Sequence, residues 1–220
     1  MSTTFIETSF GSARIISHHH YKKTVAFITH GAGKGLDSVD LSSVIHHLDL
    51  NGISVVGVEM PWLVAGKKIA SPANQLDQVW IEVLQNLEQR YGDYKKIFIG
   101  RSTGARVICR TAHHFNPDLI VNLAFPLKAP NGKSRKEELV SALEKGFETV
   151  VIQGRKDSFG SVKDVKNELG SRPNLEVIDA GELNHKLSNA MGELLIECLK
   201  EKGLVERQGS VGLLLFYLPL

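Results

Sequence analysis

Lys95-Lys96-Ile97-Phe98-Ile99-Gly100-Arg101-Ser102-Thr103-Gly104-Ala105-Arg106-Val107-Ile108-Cys109 decides how the chain is read. It begins as a short apolar run, turns through Gly-Arg-Ser-Thr-Gly, and continues in a helix-like pattern. A G-x-S-x-G turn between a strand and a helix holds its serine in a strained backbone conformation, with the hydroxyl at the strand's C-terminal end. The two glycines lack a Cβ, so strand and helix can approach closely. The N–H groups at the start of the new helix point where negative charge can be stabilised. Ser102 is therefore the candidate nucleophile.

Outward from this stretch, apolar runs alternate with helical patterns. Strands are expected at 12–16, 24–29, 53–58, 119–125, 148–153 and 175–178. The runs 24–29 and 53–58 are nearly continuous in apolar residues, as in strands buried on both faces. Helices are expected from Val39 to Leu50, from Ser71 to Gln89 with Pro72 in the first turn, from Ser134 to Lys145, from Val162 to Leu169 and from His185 to Lys202. The Ser102 helix should end near His114, and residues 59–70 read as a loop. Alternation of this kind predicts an α/β fold with a mostly parallel sheet flanked by helices on both faces. Short strand-to-helix loops leave no room for a large lid. Sites in such sheets lie beyond the strands' C-terminal ends. Residues 1–208 read as a single domain, followed at 209–220 by an apolar tail. Three roles are open to that tail: packing on the core, forming a homodimer, or remaining loose. Packing or self-association is the plainer reading.

A serine hydroxyl needs a base, and the base an orienting acid. In this architecture the chain order is nucleophile, acid, base. Asp157 and His185 each follow a strand and complete the order with Ser102. Asp164 and Asp179 are rival acids, but one lies inside a short helix and the other suits a turn. The oxyanion donors are expected to be the backbone N–H groups of Thr103 and, in the loop His30-Gly31-Ala32-Gly33, of Ala32. That loop has neither the phosphate-loop nor the dinucleotide spacing. Arg101 is open to two roles, binding an acidic substrate group or bracing the turn; Arg106 reads as one half of a structural ion pair. Lys67, Lys68, Lys128 and Arg155 would give the rim a basic cast.

Bulk properties narrow the function further. A length of 220 residues, 42% hydrophobic and 23% charged, suits one soluble domain with a substantial core. A net charge of +2 with scattered basic residues offers no reason to expect nucleic acid or a membrane surface as partner. Cys109 and Cys198 read as buried, reduced residues, which fits a cytoplasmic location. No run approaches the ~20 apolar residues of a membrane span. No metal-ligand spacing is present, since His46-His47 and His113-His114 diverge by roughly 100° on a helix.

His30-Gly31-Ala32-Gly33, Gly100 to Arg106, Leu123-Ala124-Phe125-Pro126-Leu127, Gln153 to Gly160 and Asn184-His185 together resemble the α/β-hydrolase superfamily over nearly the whole chain. The nearer likeness is to a compact, mostly bacterial group of small dienelactone-hydrolase-like proteins, itself similar to a domain in a eukaryotic histone-acetylation complex subunit. Glu59-Met60-Pro61-Trp62, Gly66-Lys67-Lys68 and Leu76-Asp77 with Trp80 also look like that group. The resemblance implies a Ser102–Asp157–His185 triad, an α/β-hydrolase fold, and cleavage of an ester or related acyl bond of a small-molecule substrate without a cofactor. Arg101, Gly31 and Trp62 are the candidate substrate-binding residues. Around the histidine the group often carries Gly-Asp-His-Ser, whereas this chain has Gly181-Glu182-Leu183-Asn184-His185-Lys186-Leu187. The rival expectations are a non-catalytic binding or scaffold module on the same fold, and an acyl transferase using the same chemistry.

Overall fold

A computed structural model describes residues 2–206; the tail expected at 209–220 lies outside the described residues. In chain order the elements are β1 (Ser2–Thr8), β2 (Gly11–His18), β3 (Thr24–Thr29), α1 (Val39–Leu50), β4 (Ser54–Glu59), α2 (Pro61–Val64), α3 (Ala73–Tyr91), β5 (Lys95–Arg101) and α4 (Thr103–Thr111). A 3₁₀ turn, Ala112–His114, extends α4. There follow β6 (Leu119–Leu123), α5 (Lys136–Glu144), β7 (Thr149–Gln153), α6 (Val162–Leu169), β8 (Leu175–Asp179) and α7 (Met191–Glu201).

All the described strands form one sheet in the order β1-β2-β4-β3-β5-β6-β7-β8. From β4 to β8 the neighbours are parallel; β2 runs antiparallel to β4, and β1 antiparallel to β2. Successive strand residues face opposite sides, and the core divides accordingly. Val25, Phe27, Phe98, Ile120 and Val151 pack under α3, α4, α5 and α6. Ala26, Ile28, Ile97, Ile99, Val121 and Ile152 pack under α1 and α7. Strands covered on both faces must be apolar at nearly every position, which is why their runs in the sequence are continuous.

Three elements depart from expectation. β1 was not foreseen. Its Ser-Thr-Thr-Phe-Ile-Glu-Thr stretch is mostly exposed and gains its order by pairing backbone with β2 at the sheet edge, so it carries no strong apolar signal. Within the loop expected at 59–70, Pro61–Val64 forms one short helical turn. The last helix starts at Met191, not at His185. Asn184 Oδ1 accepts from the Lys186 N–H (2.9 Å), Ser188 Oγ from the Ala190 N–H (3.3 Å), and Leu187 has φ of 54°. These local side-chain-to-backbone bonds offer the chain an alternative to helix. His185 therefore sits on a loop.

Cys109 and Cys198 are both free and buried. Desolvation pushes each thiol up to about 12, which keeps them protonated and inert. Among the described residues, no helix is long and apolar enough to cross a membrane.

Candidate active site

The turn after β5 is built by exclusion of Cβ atoms. A Cβ on Gly100 would lie 2.5 Å from the backbone of Gly104 and Ala105, and one on Gly104 would lie 2.7 Å from the Thr29 carbonyl. Only glycine lets α4 start this close to β5 and β3. Ser102, between them, has φ of 52° and ψ of −107°. This is a left-handed conformation that costs a non-glycine residue on the order of 1 kcal/mol or more and is held by its surroundings. One such constraint is the Ser102 N–H, which donates to the Leu123 carbonyl of β6 (2.9 Å). Ser102 is only 8% exposed.

Ser102 Oγ lies 2.8 Å from His185 Nε2, and His185 Nδ1 lies 2.8 Å from Asp157 Oδ2. Asp157 is 5% exposed and also accepts from the Phe159 N–H (Oδ1, 2.9 Å) and from Gln153 Nε2 (Oδ2, 3.0 Å). A carboxylate can only accept, so Nδ1 of the neutral imidazole carries the proton and Nε2 is left to accept from the serine hydroxyl. Phe159 packs against the imidazole at 4.7 Å between centroids and limits its rotation. The rival acids are engaged elsewhere: Asp164 closes a capping box with Ser161, and Asp179 pairs with Arg155.

A cavity of about 910 Å³ opens beside this cluster. Ala32, Ser102, Thr103 and His185 all line it, so the two residues expected to supply oxyanion donors border the same space as the serine and the histidine. Thr103 is the first residue of α4, where backbone N–H groups have no helical partner. The Ala32 loop is braced from below. His30, 2% exposed, has Nδ1 2.8 Å from the Gly31 carbonyl, while Nε2 accepts from the Met60 N–H (3.0 Å). That pair of bonds specifies the Nδ1-protonated tautomer. Glu59 Oε1 accepts from the Leu36 N–H (3.2 Å) at the loop's other end.

The candidate substrate-binding residues need correction. Trp62 is buried against His30 at 5.6 Å between ring centroids and does not line the cavity, because the Pro61–Val64 turn directs it into the core. Gly31 is a spacing position: a Cβ there would meet the Arg101 side chain at 2.6 Å. Arg101 does border the cavity, but its Nε pairs with buried Asp40 (3.1 Å) and its Nη2 donates to the His185 carbonyl (2.9 Å). Lys67, Lys68, Lys128 and Arg155 are not among the lining residues; the cations there are Lys34, Arg101, Arg135 and Lys186. Arg106 forms a two-pronged pair with Glu138, at 2.7 Å on both prongs.

Two further parts escaped the sequence. Gln153, fully buried at the end of β7, donates to Asp157, to the Phe125 carbonyl (3.3 Å) and to the Gly160 carbonyl. Its signal was a polar amide closing an apolar strand four residues before Asp157. Asp40 is the other. Inside an amphipathic helix it looks like an ordinary surface acid, yet it is 1% exposed. Among the described residues, no three His, Cys, Asp or Glu side chains are grouped so as to hold a metal ion.

A serine at a strained turn beyond β5, on a mostly parallel sheet with a histidine and a buried aspartate converging on it, defines an α/β-hydrolase fold. The chain belongs to the family described as an alpha/beta hydrolase domain, whose model matches residues 22–202. No curated protein matches it at a significant level. Among solved structures it is similar to an α/β serine hydrolase without a lid from Xanthomonas campestris (TM-score 0.74, 14% identity, 94% of this chain and 96% of that one). It is likewise similar to an α/β serine hydrolase homologue from Coxiella burnetii (0.74, 16%, 91% and 96%) and to Est1E from Butyrivibrio proteoclasticus (0.73, 13%, 93% and 98%). At these identities the likeness is one of fold.

Proposed function

We propose that this protein is a serine hydrolase that cleaves an ester or related acyl bond of a small soluble substrate through an acyl-enzyme. The observation that carries the reading is the unbroken relay of two 2.8 Å contacts from Ser102 Oγ through His185 to Asp157. Such contacts make a serine hydroxyl nucleophilic at neutral pH.

Ser102 Oγ attacks the substrate carbonyl as His185 Nε2 takes its proton. The carbonyl oxygen becomes an oxyanion, which the Thr103 and Ala32 N–H groups stabilise. Losing one such donor typically costs about 10²–10³ in rate. Asp157, buried and fixed by the Gln153 amide and the Phe159 N–H, stabilises the imidazolium. The tetrahedral species collapses, the C–O bond to the leaving group breaks, and His185 returns the proton to the departing alcohol. Water then repeats the sequence on the acyl-enzyme, with His185 as base, and releases the acid and free Ser102. Every group in the cycle belongs to the chain, so no cofactor is required.

The test is labelling with a fluorophosphonate probe together with turnover of short 4-nitrophenyl esters. Labelling and turnover that vanish in Ser102→Ala support the proposal. If the wild-type protein is neither labelled nor able to hydrolyse any such ester, the reading fails, and a binding module on the same fold takes its place.

A further inference from the structure

Most arginines near the cavity are satisfied by carboxylates. Arg101 holds Asp40, Arg106 grips Glu138 with two bonds, and Arg110 binds Asp77 (2.6 and 2.7 Å) and reaches Glu138 (3.0 Å). Arg135 is the exception. It caps the N-terminus of α5 at the end of a tight hairpin, where Lys128 bridges Ser134 and the Arg135 N–H donates to the Leu127 carbonyl (2.7 Å). Arg135 lines the cavity, and its guanidinium forms no hydrogen bond or ion pair with any described residue. Glu138 is near enough to be felt by Arg135, but its two oxygens are already taken by Arg106 and Arg110.

The cost of this arrangement is visible in the Arg135 pKa, which is lowered by burial first and then by the nearby Arg106 charge. Arginine nevertheless stays protonated at any physiological pH. The same cavity is bordered by exposed Lys34 and Lys186, and Asp40, the single lining acid among the described residues, is neutralised by Arg101. A cleft with cations of one sign and low-dielectric walls concentrates anions. Pro126, Pro130 and Phe159 also line the cavity and give it apolar surface.

We infer that Arg135 is an anion-binding residue of this cavity and that the substrate is an ester whose acyl chain carries a free carboxylate. A planar guanidinium with unused donors matches a carboxylate with two parallel bonds, and the apolar wall suits the short chain that links it to the scissile carbonyl. The inference rests on the hydrolase reading of Ser102 for its chemistry, but its geometry is separate from that reading.

The experiment compares kcat/KM for mono-4-nitrophenyl adipate and 4-nitrophenyl hexanoate, which have acyl chains of equal length. The wild-type protein is expected to prefer the adipate. Arg135→Gln should reduce the adipate-to-hexanoate ratio at least about tenfold, the size of a lost charge-assisted hydrogen-bond pair, while Arg135→Lys retains part of it. No preference in the wild type, or an unchanged ratio in Arg135→Gln, overturns the inference. A binding arm uses Ser102→Ala protein and calorimetry with monomethyl adipate and methyl hexanoate. Tighter binding of the adipate that is lost on adding Arg135→Gln supports the anion site even if no ester is turned over; that outcome would remove the hydrolase reading alone. Equal binding of the two esters sinks the anion site whatever the turnover.

Discussion

Arg101 Nη2 donates to the backbone carbonyl of His185 at 2.9 Å, so the residue beside the serine in sequence also holds the loop that carries the histidine. Asp40, buried in the first turn of α1, fixes the other side of that guanidinium. The Ser102 turn, the His185 loop and helix α1 are thereby linked through one side chain. Arg101→Ala should release the His185 loop and lower kcat about a hundredfold, the scale expected for an ångström-size misplacement, with KM much less affected. A change confined to KM would return Arg101 to substrate binding. Asp40→Ala leaves the guanidinium without its buried partner and should cost about 3 kcal/mol in urea denaturation.

Gln153 Nε2 donates to Asp157 Oδ2 at 3.0 Å and so shapes the environment of that buried carboxylate. Gln153→Leu removes a donor to a buried carboxylate, at an expected cost of about 2 kcal/mol. Gln153→Glu should be more damaging, because two buried carboxylates would then compete for one site. Denaturation midpoints and ester turnover of the two variants check the order. Equal effects would mean that the amide fills space and does not serve the carboxylate.

His30 gives the fold a specific acid sensitivity. Burial holds its pKa below the ordinary 6.5, so the folded protein keeps it neutral while the unfolded chain takes up a proton. Its contribution is complete above 6.5 and is lost as pH falls through that value toward the folded pKa, with a slope of at most about 1.4 kcal/mol per pH unit. His30→Gln should be less stable at pH 8 but lose stability less steeply between pH 7 and pH 5. The comparison is of slopes, since His19 and His113, both also held below 6.5 by burial, titrate in the same window.

Gly104→Ala tests the close approach of α4 to β3. The added Cβ would meet the Thr29 and His30 carbonyls at 2.7 and 2.9 Å, both of them backbone atoms that cannot swing aside. A loss of about 3 kcal/mol, or failure to accumulate as folded protein, is expected. Near-wild-type stability would show that the turn can open.

Periodicity and turn chemistry exposed most of the architecture. The strands from β3 to β7 and the helices that cover them follow from apolar runs, because burial on both faces demands such runs locally, while β8 at the edge is only partly buried. β1 was silent because an edge strand is ordered by its neighbour's backbone. The last helix, expected from His185, starts only at Met191, because the turn-forming Ser188 and the positive φ of Leu187 interrupt what looks like a continuing pattern.

By itself the sequence determined the alternation of strand and helix and the strained turn at Ser102, because each depends on residues a few positions apart and on backbone sterics. Only the tertiary structure decided that Asp157 and His185, 28 residues apart, meet each other and that His185 reaches Ser102 across 83 residues. It also decided that Arg101 is bound to Asp40 and that Arg135 is left without a partner among the described residues. These are pairings of side chains carried by different strands and loops. Their outcome depends on which rotamers the packed sheet and helices leave open, and no local pattern encodes that choice.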